Sequence, residues 1–418
     1  MFLYQFLDMQ NLALAPWRSF ARMAQQTLHS PFLPIAHTDA GRTLAAGLQI
    51  FERSTCSYVK PAFGLTKTKF RGEPINVEEH IVHSTPFCNL IHFTRTAGNP
   101  EISEHISKDP KVLIVTPMSG HFATLMRGTV EAMLPSHDVY ITDWVDAKMV
   151  PLTSGYFDLE DQIEYLMQIT QLLGTETNII AISQASVSVL CAVSLLAAQE
   201  PPFAPRTMTL IGGPINTQNQ TVALTEAAAT QSLSSLRSSQ IQMVPLYYPG
   251  AMRRVYPGMM QLLDRMSMSM DRHITEQVKY FQHLVRGDDD AADYHDAFYD
   301  EFLAVMDVPE EFYLQYVERA YQRHDLANGS FVFRSAKVDP KAITETALLT
   351  VEGEQDDLSP AGHTRAALDL CTSLPASMKQ AHLEIGVGHY GVFSGRKWRN
   401  NIQPMIHKFI RTHCSDSA

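Results

Sequence analysis

Ser183 stands where an apolar run, Thr177–Ile182, gives way to a helix-forming segment, Val187–Glu200, and alanines flank it two residues away on each side, Ala181 and Ala185. A serine on a sharp strand-to-helix turn is lifted clear of its neighbours and can act as a nucleophile. The flanking positions must be small because strand and helix crowd them. The familiar pattern carries glycine at both flanks; alanine is the next smallest residue, so the steric logic survives. A serine between a strand and a helix is common, so its partners decide its meaning. Downstream, Ala347–Gly353 reads as a buried strand and runs into Glu354, Gln355 and Asp356, placing an acid three residues past Gly353. Farther on, a short strand at His382–Ile385 opens into a glycine-rich loop that carries His389. With 17 histidines in the chain a match by chance is easy, and the strength lies in all three groups falling at strand ends.

Together these residues would perform nucleophilic acyl transfer. Ser183 would attack an ester carbonyl as His389 takes its proton, and Asp356 would hold the imidazole in the right tautomer. The chain order Ser, Asp, His is the one α/β-hydrolases use, unlike the chymotrypsin or subtilisin orders. Asp357 is the adjacent alternative to Asp356, and the spacing from Gly353 favours Asp356. An oxyanion hole would need two main-chain amides. One follows the nucleophile, at Gln184; the other comes from the polar loop after the apolar strand Lys111–Val115, at Met118 or Ser119.

The segments Met118–Leu125, Val139–Pro151 (with its Thr142-Asp143-Trp144 step) and Gly388–Arg396 resemble those of intracellular polyhydroxybutyrate (PHB) depolymerases. The similarity extends to Arg206–Ile215 and Arg323–Gly329 and runs nearly end to end. The Thr-Asp-Trp step also resembles the related polyhydroxyalkanoate synthases. The resemblance implies a cytoplasmic α/β-hydrolase acting on amorphous storage polyester at PHB granules, without a cofactor or metal, and it too selects Asp356 over Asp357. The chain departs from the family at Ser183, where well-known members carry cysteine. A synthase-type acyltransferase would keep the three groups but shield its acyl-enzyme from water, and it normally relies on a thiolate. Serine therefore tilts the choice toward hydrolysis. A catalytically silent granule-binding protein would have no use for His389 and Asp356.

Composition is consistent with these expectations. Of 418 residues, 45% are apolar and 18% charged, as in a globular protein with a large core. The five cysteines, Cys56, Cys88, Cys191, Cys371 and Cys414, are scattered without C-x-x-C spacing, which speaks against a disulfide framework or a zinc site. A net charge of −11 with no basic cluster makes nucleic acid an unsuitable partner. The Met1–Trp17 stretch carries Asp8 and lacks a basic start, unlike a secretory signal. No apolar run reaches the ~20 residues that span a bilayer. Homo-oligomerisation stays open.

The elements that must position these groups follow from the hydrophobic pattern. Residues 1–60 carry helical spacing with expected breaks at Pro16, Pro31 and Pro34, and could present a lipid- or granule-facing surface. Two strands, Ile75–His83 and Phe87–Thr94, pair around a turn. Strand and helix units then alternate: strand 112–116, helix 122–134, strand 138–143, helix 159–173, strand 177–183, helix 186–199 and strand 207–212. Such units predict a mainly parallel sheet flanked by helices, with ligands at the carboxyl ends of its strands. Roughly 130 residues then intervene before the next strand, too many for a crossover. The expectation is a core of 1–215 and 335–418 with an inserted helical cap, or lid, over 216–334. Methionines 252, 259, 260, 266, 268 and 270 crowd that insert and could adapt to an irregular apolar ligand. Asp288–Asp290 reads as a solvated loop.

Overall fold

The computed structural model describes residues 2–414 apart from 29, 31 and 269. A nine-stranded sheet organises the chain: β1 (Lys67–Phe70), β2 (Glu73–Ser84), β3 (Cys88–Thr96), β4 (Lys111–Val115), β5 (Asp138–Trp144), β6 (Asn178–Ile182), β7 (Thr207–Ile211), β8 (Ala347–Gly353) and β9 (Lys379–Glu384), in spatial order 1-2-3-5-4-6-7-8-9. The first three strands run antiparallel to their neighbours, β3 pairing with β5, and every later pairing is parallel. Every residue of β6, β7 and β8 is buried, as expected of parallel strands covered on both faces. Side chains alternate between two cores. Ile179, Ala181, Met208 and Leu210 meet one helical layer, and Ile180, Ile182, Ile211 and Val351 meet the other. This is an α/β-hydrolase fold.

Two N-terminal helices, α1 (Phe2–Leu28) and α2 (Asp39–Thr55), pack as a hairpin. The break expected at Pro16 does not occur. The ring is exposed, so the donor it lacks and the carbonyl it frees face outward and the helix continues. Pro34 does end the hairpin turn by opening a short 3-10 helix, and Pro31 lies outside the described residues. Helix α3 (Leu159–Leu173) starts on an Asp158–Asp161 capping box and packs beside α4 (Ala185–Ala197).

Between β7 and β8 the insert holds α5 (Gly258–Met268), α6 (Met270–Arg286), α7 (Asp289–Leu303) and α8 (Glu310–Tyr316), with shorter helices at Ala223–Thr230 and Leu233–Gln240. The insert is not wholly helical. Val308–Pro309, Arg254–Tyr256 and Gln242–Met243 form a three-stranded antiparallel sheet. That sheet is tied to the core. Met306 N–H donates to the Gly120 carbonyl at 2.7 Å and Ala147 N–H to the Asp307 carbonyl at 3.1 Å, so extended backbone there satisfies groups a helix would leave facing the loop after β4. Helix α9 (Gln403–His413) closes the opposite face with Ile406, Phe409 and Ile410.

Candidate active site

Ser183 caps β6 with a φ of +52°, a left-handed conformation that is costly for serine. Its N–H donates to the Ile211 carbonyl of β7 at 2.7 Å, and its carbonyl accepts from Ser186 N–H at 3.0 Å as α4 begins. The turn exists because its surroundings are small. A Cβ on Gly213 would fall 2.2 Å from Ser186 Cβ and 3.1 Å from the Ser183 carbonyl oxygen. Ala181 and Ala185 are themselves fully packed.

Three loops meet here. His389, on the 3-10 turn His389–Val392 after β9, places Nε2 2.9 Å from Ser183 Oγ and Nδ1 2.8 Å from Asp356 Oδ2. Chemistry assigns the tautomer: Nδ1–H donates to the carboxylate, leaving Nε2 to accept from the serine hydroxyl. Asp356 spends its other oxygen on the N–H groups of Leu358, at 2.9 Å, and Ser359, at 2.8 Å. It is buried, whereas Asp357 faces solvent. The structure thus brings Ser183, His389 and Asp356 into one hydrogen-bonded line and leaves Asp357 out of it.

Gln184 stands at the start of α4, and Met118 and Ser119 follow β4. All three line, with Ser183 and His389, a cavity of about 330 Å³. The loop carrying Met118 is held from behind. Trp144 Nε1–H donates to the Thr116 carbonyl at 2.8 Å, and Thr116 N–H donates to Thr142 Oγ1 at 3.0 Å. This explains the Thr-Asp-Trp step in structural terms. From the insert, Gln261, Arg265, Tyr313 and Tyr321 complete the cavity wall. None of the described methionines from the insert's methionine-rich stretch lines it, and the Met268 side chain lies outside the described residues.

Several contributors escaped the sequence reading. Glu352, inside the apolar strand β8, accepts N–H groups from Gly362, Thr364 and Arg365 at 2.8–3.0 Å, and Thr364 in turn exchanges hydrogen bonds with Gly213. A lone glutamate in a buried strand was the available signal. His121 is 5% exposed and lies against the rings of Phe302, at 5.3 Å, and Tyr390, at 6.5 Å. Burial first and the nearby Arg265 charge second hold its pKa well below the ordinary imidazole value, so it sits in the cavity wall as a neutral ring.

Among solved structures, the chain is similar in fold to DcsB in complex with a substrate analogue (15% identity, 82% of this chain and 99% of that chain, TM-score 0.44). It is also similar to a Paleococcus ferrophilus monoacylglycerol lipase (14% identity, 72% and 94%, TM-score 0.42). A third is the 2-hydroxy-6-oxo-6-phenylhexa-2,4-dienoate hydrolase of Rhodococcus sp. strain RHA1 (13% identity, 81% and 99%, TM-score 0.42). No curated protein sequence matches at a significant level. Residues 212–414, a span that holds the insert, Asp356 and His389, match the family described as the PHB de-polymerase C-terminus.

Proposed function

We propose that this chain hydrolyses ester bonds of amorphous poly(3-hydroxybutyrate), with Ser183 as nucleophile, His389 as general base and acid, and Asp356 as the group that orients and stabilises the imidazole. The family match over residues 212–414 supports ester hydrolysis as the reaction class, and the observation that carries the finer reading is the hydrogen-bonded line from Asp356 through His389 to Ser183 in the cavity wall. Ser183 Oγ forms a bond to the ester carbonyl carbon while His389 Nε2 takes its proton. The carbon–oxygen bond to the leaving alkoxide then breaks, and His389 returns the proton to that oxygen. Water repeats the sequence on the acyl-enzyme, giving a carboxylate and restoring Ser183. Main-chain N–H groups of Gln184 and of Met118 or Ser119 would hold the oxyanion, each amide contributing on the order of 3 kcal/mol in such sites.

Residues 216–334 act in this reading as a cap that admits one mobile polymer chain. Insert residues in the cavity wall support it. A solid surface cannot enter such a cavity, so amorphous polymer should be cleaved and crystalline polymer resist.

Helix α1 supports granule attachment. It turns Phe6, Met9, Leu12, Trp17, Phe20 and Met23 outward, each 57–74% exposed, along one face. The arginines of the helix point away from that face: Arg22 pairs with Glu52 and Arg18 bonds the Thr55 carbonyl. An apolar face without flanking cations suits an uncharged polyester surface better than an anionic membrane, which favours Lys and Arg. No helix among the described residues is long and apolar enough to cross a membrane.

The test is release of soluble 3-hydroxybutyrate oligomers from amorphous PHB by the purified chain beside its Ser183→Ala form. Oligomer release by both proteins, or by neither, would overturn the assignment. Phe20→Glu with Met23→Glu should reduce sedimentation with polymer particles.

A further inference from the structure

Arg265 projects from α5 into the wall of the cavity that holds Ser183 and His389. One of its terminal nitrogens, Nη2, lies 3.2 Å from the point a Cβ on Gly120 would occupy, so its guanidinium rests against the loop after β4, one residue beyond Ser119. Among the described residues no carboxylate comes within ion-pair distance of it. Of the other groups around it, most carry no charge. His121 is held neutral, and Tyr256 and Tyr321 are kept protonated by burial. Asp264, the preceding residue and the one carboxylate among the described residues of this cavity wall, accepts a hydrogen bond from the Tyr256 hydroxyl. A half-buried guanidinium in the cavity wall, without an ion-pair partner among the described residues, is poised for an anion delivered from outside.

We propose that Arg265 binds the free carboxylate of a hydroxyacid oligoester and so directs cleavage to its carboxyl end. The inference rests on the ester-hydrolase reading of the site. Two parallel N–H···O bonds from the guanidinium would hold the terminal carboxylate in one orientation. With that end anchored beside Gly120, the neighbouring ester carbonyl is presented to Ser183. Its carbon becomes bonded to Ser183 Oγ as its bond to the terminal unit's oxygen breaks, and His389 protonates that oxygen. The leaving group is the terminal hydroxyacid, whose carboxylate is unchanged and stays on Arg265 until release. The polymer surface supplies few carboxyl ends, so Arg265 matters most for the soluble oligomers that polymer cleavage produces.

The experiment compares the linear 3-hydroxybutyrate trimer with its methyl ester, using the full chain and its Arg265→Met, Arg265→Gln and Arg265→Lys forms. The quantity read is the ratio of kcat/KM for the free acid to that for the methyl ester. That ratio should exceed one in the unsubstituted protein and fall at least about tenfold in Arg265→Met and Arg265→Gln, while Arg265→Lys keeps part of it. An unchanged ratio in folded Arg265→Met or Arg265→Gln protein overturns the proposal. If the unsubstituted chain cleaves neither trimer, the hydrolase reading fails, and calorimetric titration with the free-acid trimer then tests Arg265 alone. Binding at least about tenfold weaker in the two neutral variants supports the carboxylate site, and equal affinity rejects it.

Discussion

Tyr316, at the end of α8 in the insert, donates its hydroxyl proton to the main-chain carbonyl of Gln184, 3.1 Å away. The inserted segment is thereby bonded to the turn that holds Ser183. Tyr316 is only 2% exposed, so its loss is felt in both folding and catalysis. Tyr316→Phe should cost about 1 kcal/mol in denaturant unfolding and lower kcat more than it changes KM, because it loosens the turn and leaves the cavity wall in place. A kcat equal to that of the unsubstituted chain would show that the contact serves stability alone.

Asp356→Asn keeps the shape of the acid but removes its charge and its fixed role as acceptor for Nδ1–H. In serine hydrolases the matching change lowers kcat about 10⁴-fold. A comparable loss is expected here on a short soluble ester, with folding intact, because Leu358 and Ser359 N–H can still donate to the remaining carbonyl oxygen. Asp357→Asn, on the exposed neighbour, should change kcat less than about twofold. Reversed results would move the acid to Asp357.

The two glycines after β7 separate packing from chemistry. A methyl on Gly213 meets Ser186 Cβ at 2.2 Å inside the turn, whereas one on Gly212 meets His389 Cε1 at 3.3 Å and Asp356 Oδ2 at 3.4 Å with a backbone φ of +57°. Gly213→Ala should destabilise by about 3 kcal/mol or more through overpacking. Gly212→Ala should cost about 1–2 kcal/mol for its left-handed backbone and reduce kcat by displacing His389. Thermal melts together with single-turnover rates distinguish the two.

Asp146 makes stability fall with rising pH. Asp146 is buried after β5, and its Oδ1 accepts from Asp307 N–H at 3.1 Å and Lys148 N–H at 3.2 Å. Burial first and the Asp307 charge second raise its pKa, against the opposing pull of Lys148. The unfolded carboxyl ionises near 3.9, so between that value and the raised one the folded chain holds a proton the unfolded chain has lost. The contribution is fully present below the unfolded pKa and is lost as pH rises through the folded one. Asp146→Asn, neutral throughout, should therefore gain in melting temperature relative to the unsubstituted chain as pH rises from about 4 to 8. A gain that shrinks over that range would reverse the assignment.

Much of the core was legible because parallel strands buried on both faces leave a continuous apolar record. Thr177–Ile182 with Ser183 behind it marked the end of β6, and Gly353 marked the end of β8. Helix α3 was expected and found over the same residues, since Asp158 announces its start and Gly174 its end. Local rules misread Pro16, because whether a proline breaks a helix depends on which side faces solvent. They also missed the small sheet of the insert, whose two- and three-residue strands exist only because the loop after β4 and Asp146 satisfy them.

The sequence by itself determined which residues could do chemistry and in what order. Residue type, spacing and flanking size are local, and they singled out Ser183, Asp356 and His389 from many serines, acids and histidines. It also determined the alternation of strand and helix, because burial writes a period into the chain. Spacing favoured Asp356 over Asp357, but only the tertiary structure shows the contact with His389, because the one-position step turns the side chain from the site to solvent. It alone decided that Arg265, one of many surface-type cations in the sequence, stands in the cavity wall without an ion-pair partner among the described residues. Neither fact is local: each depends on where segments 33 or more residues apart come to rest, and the sheet register and the packing of the insert fix that placement.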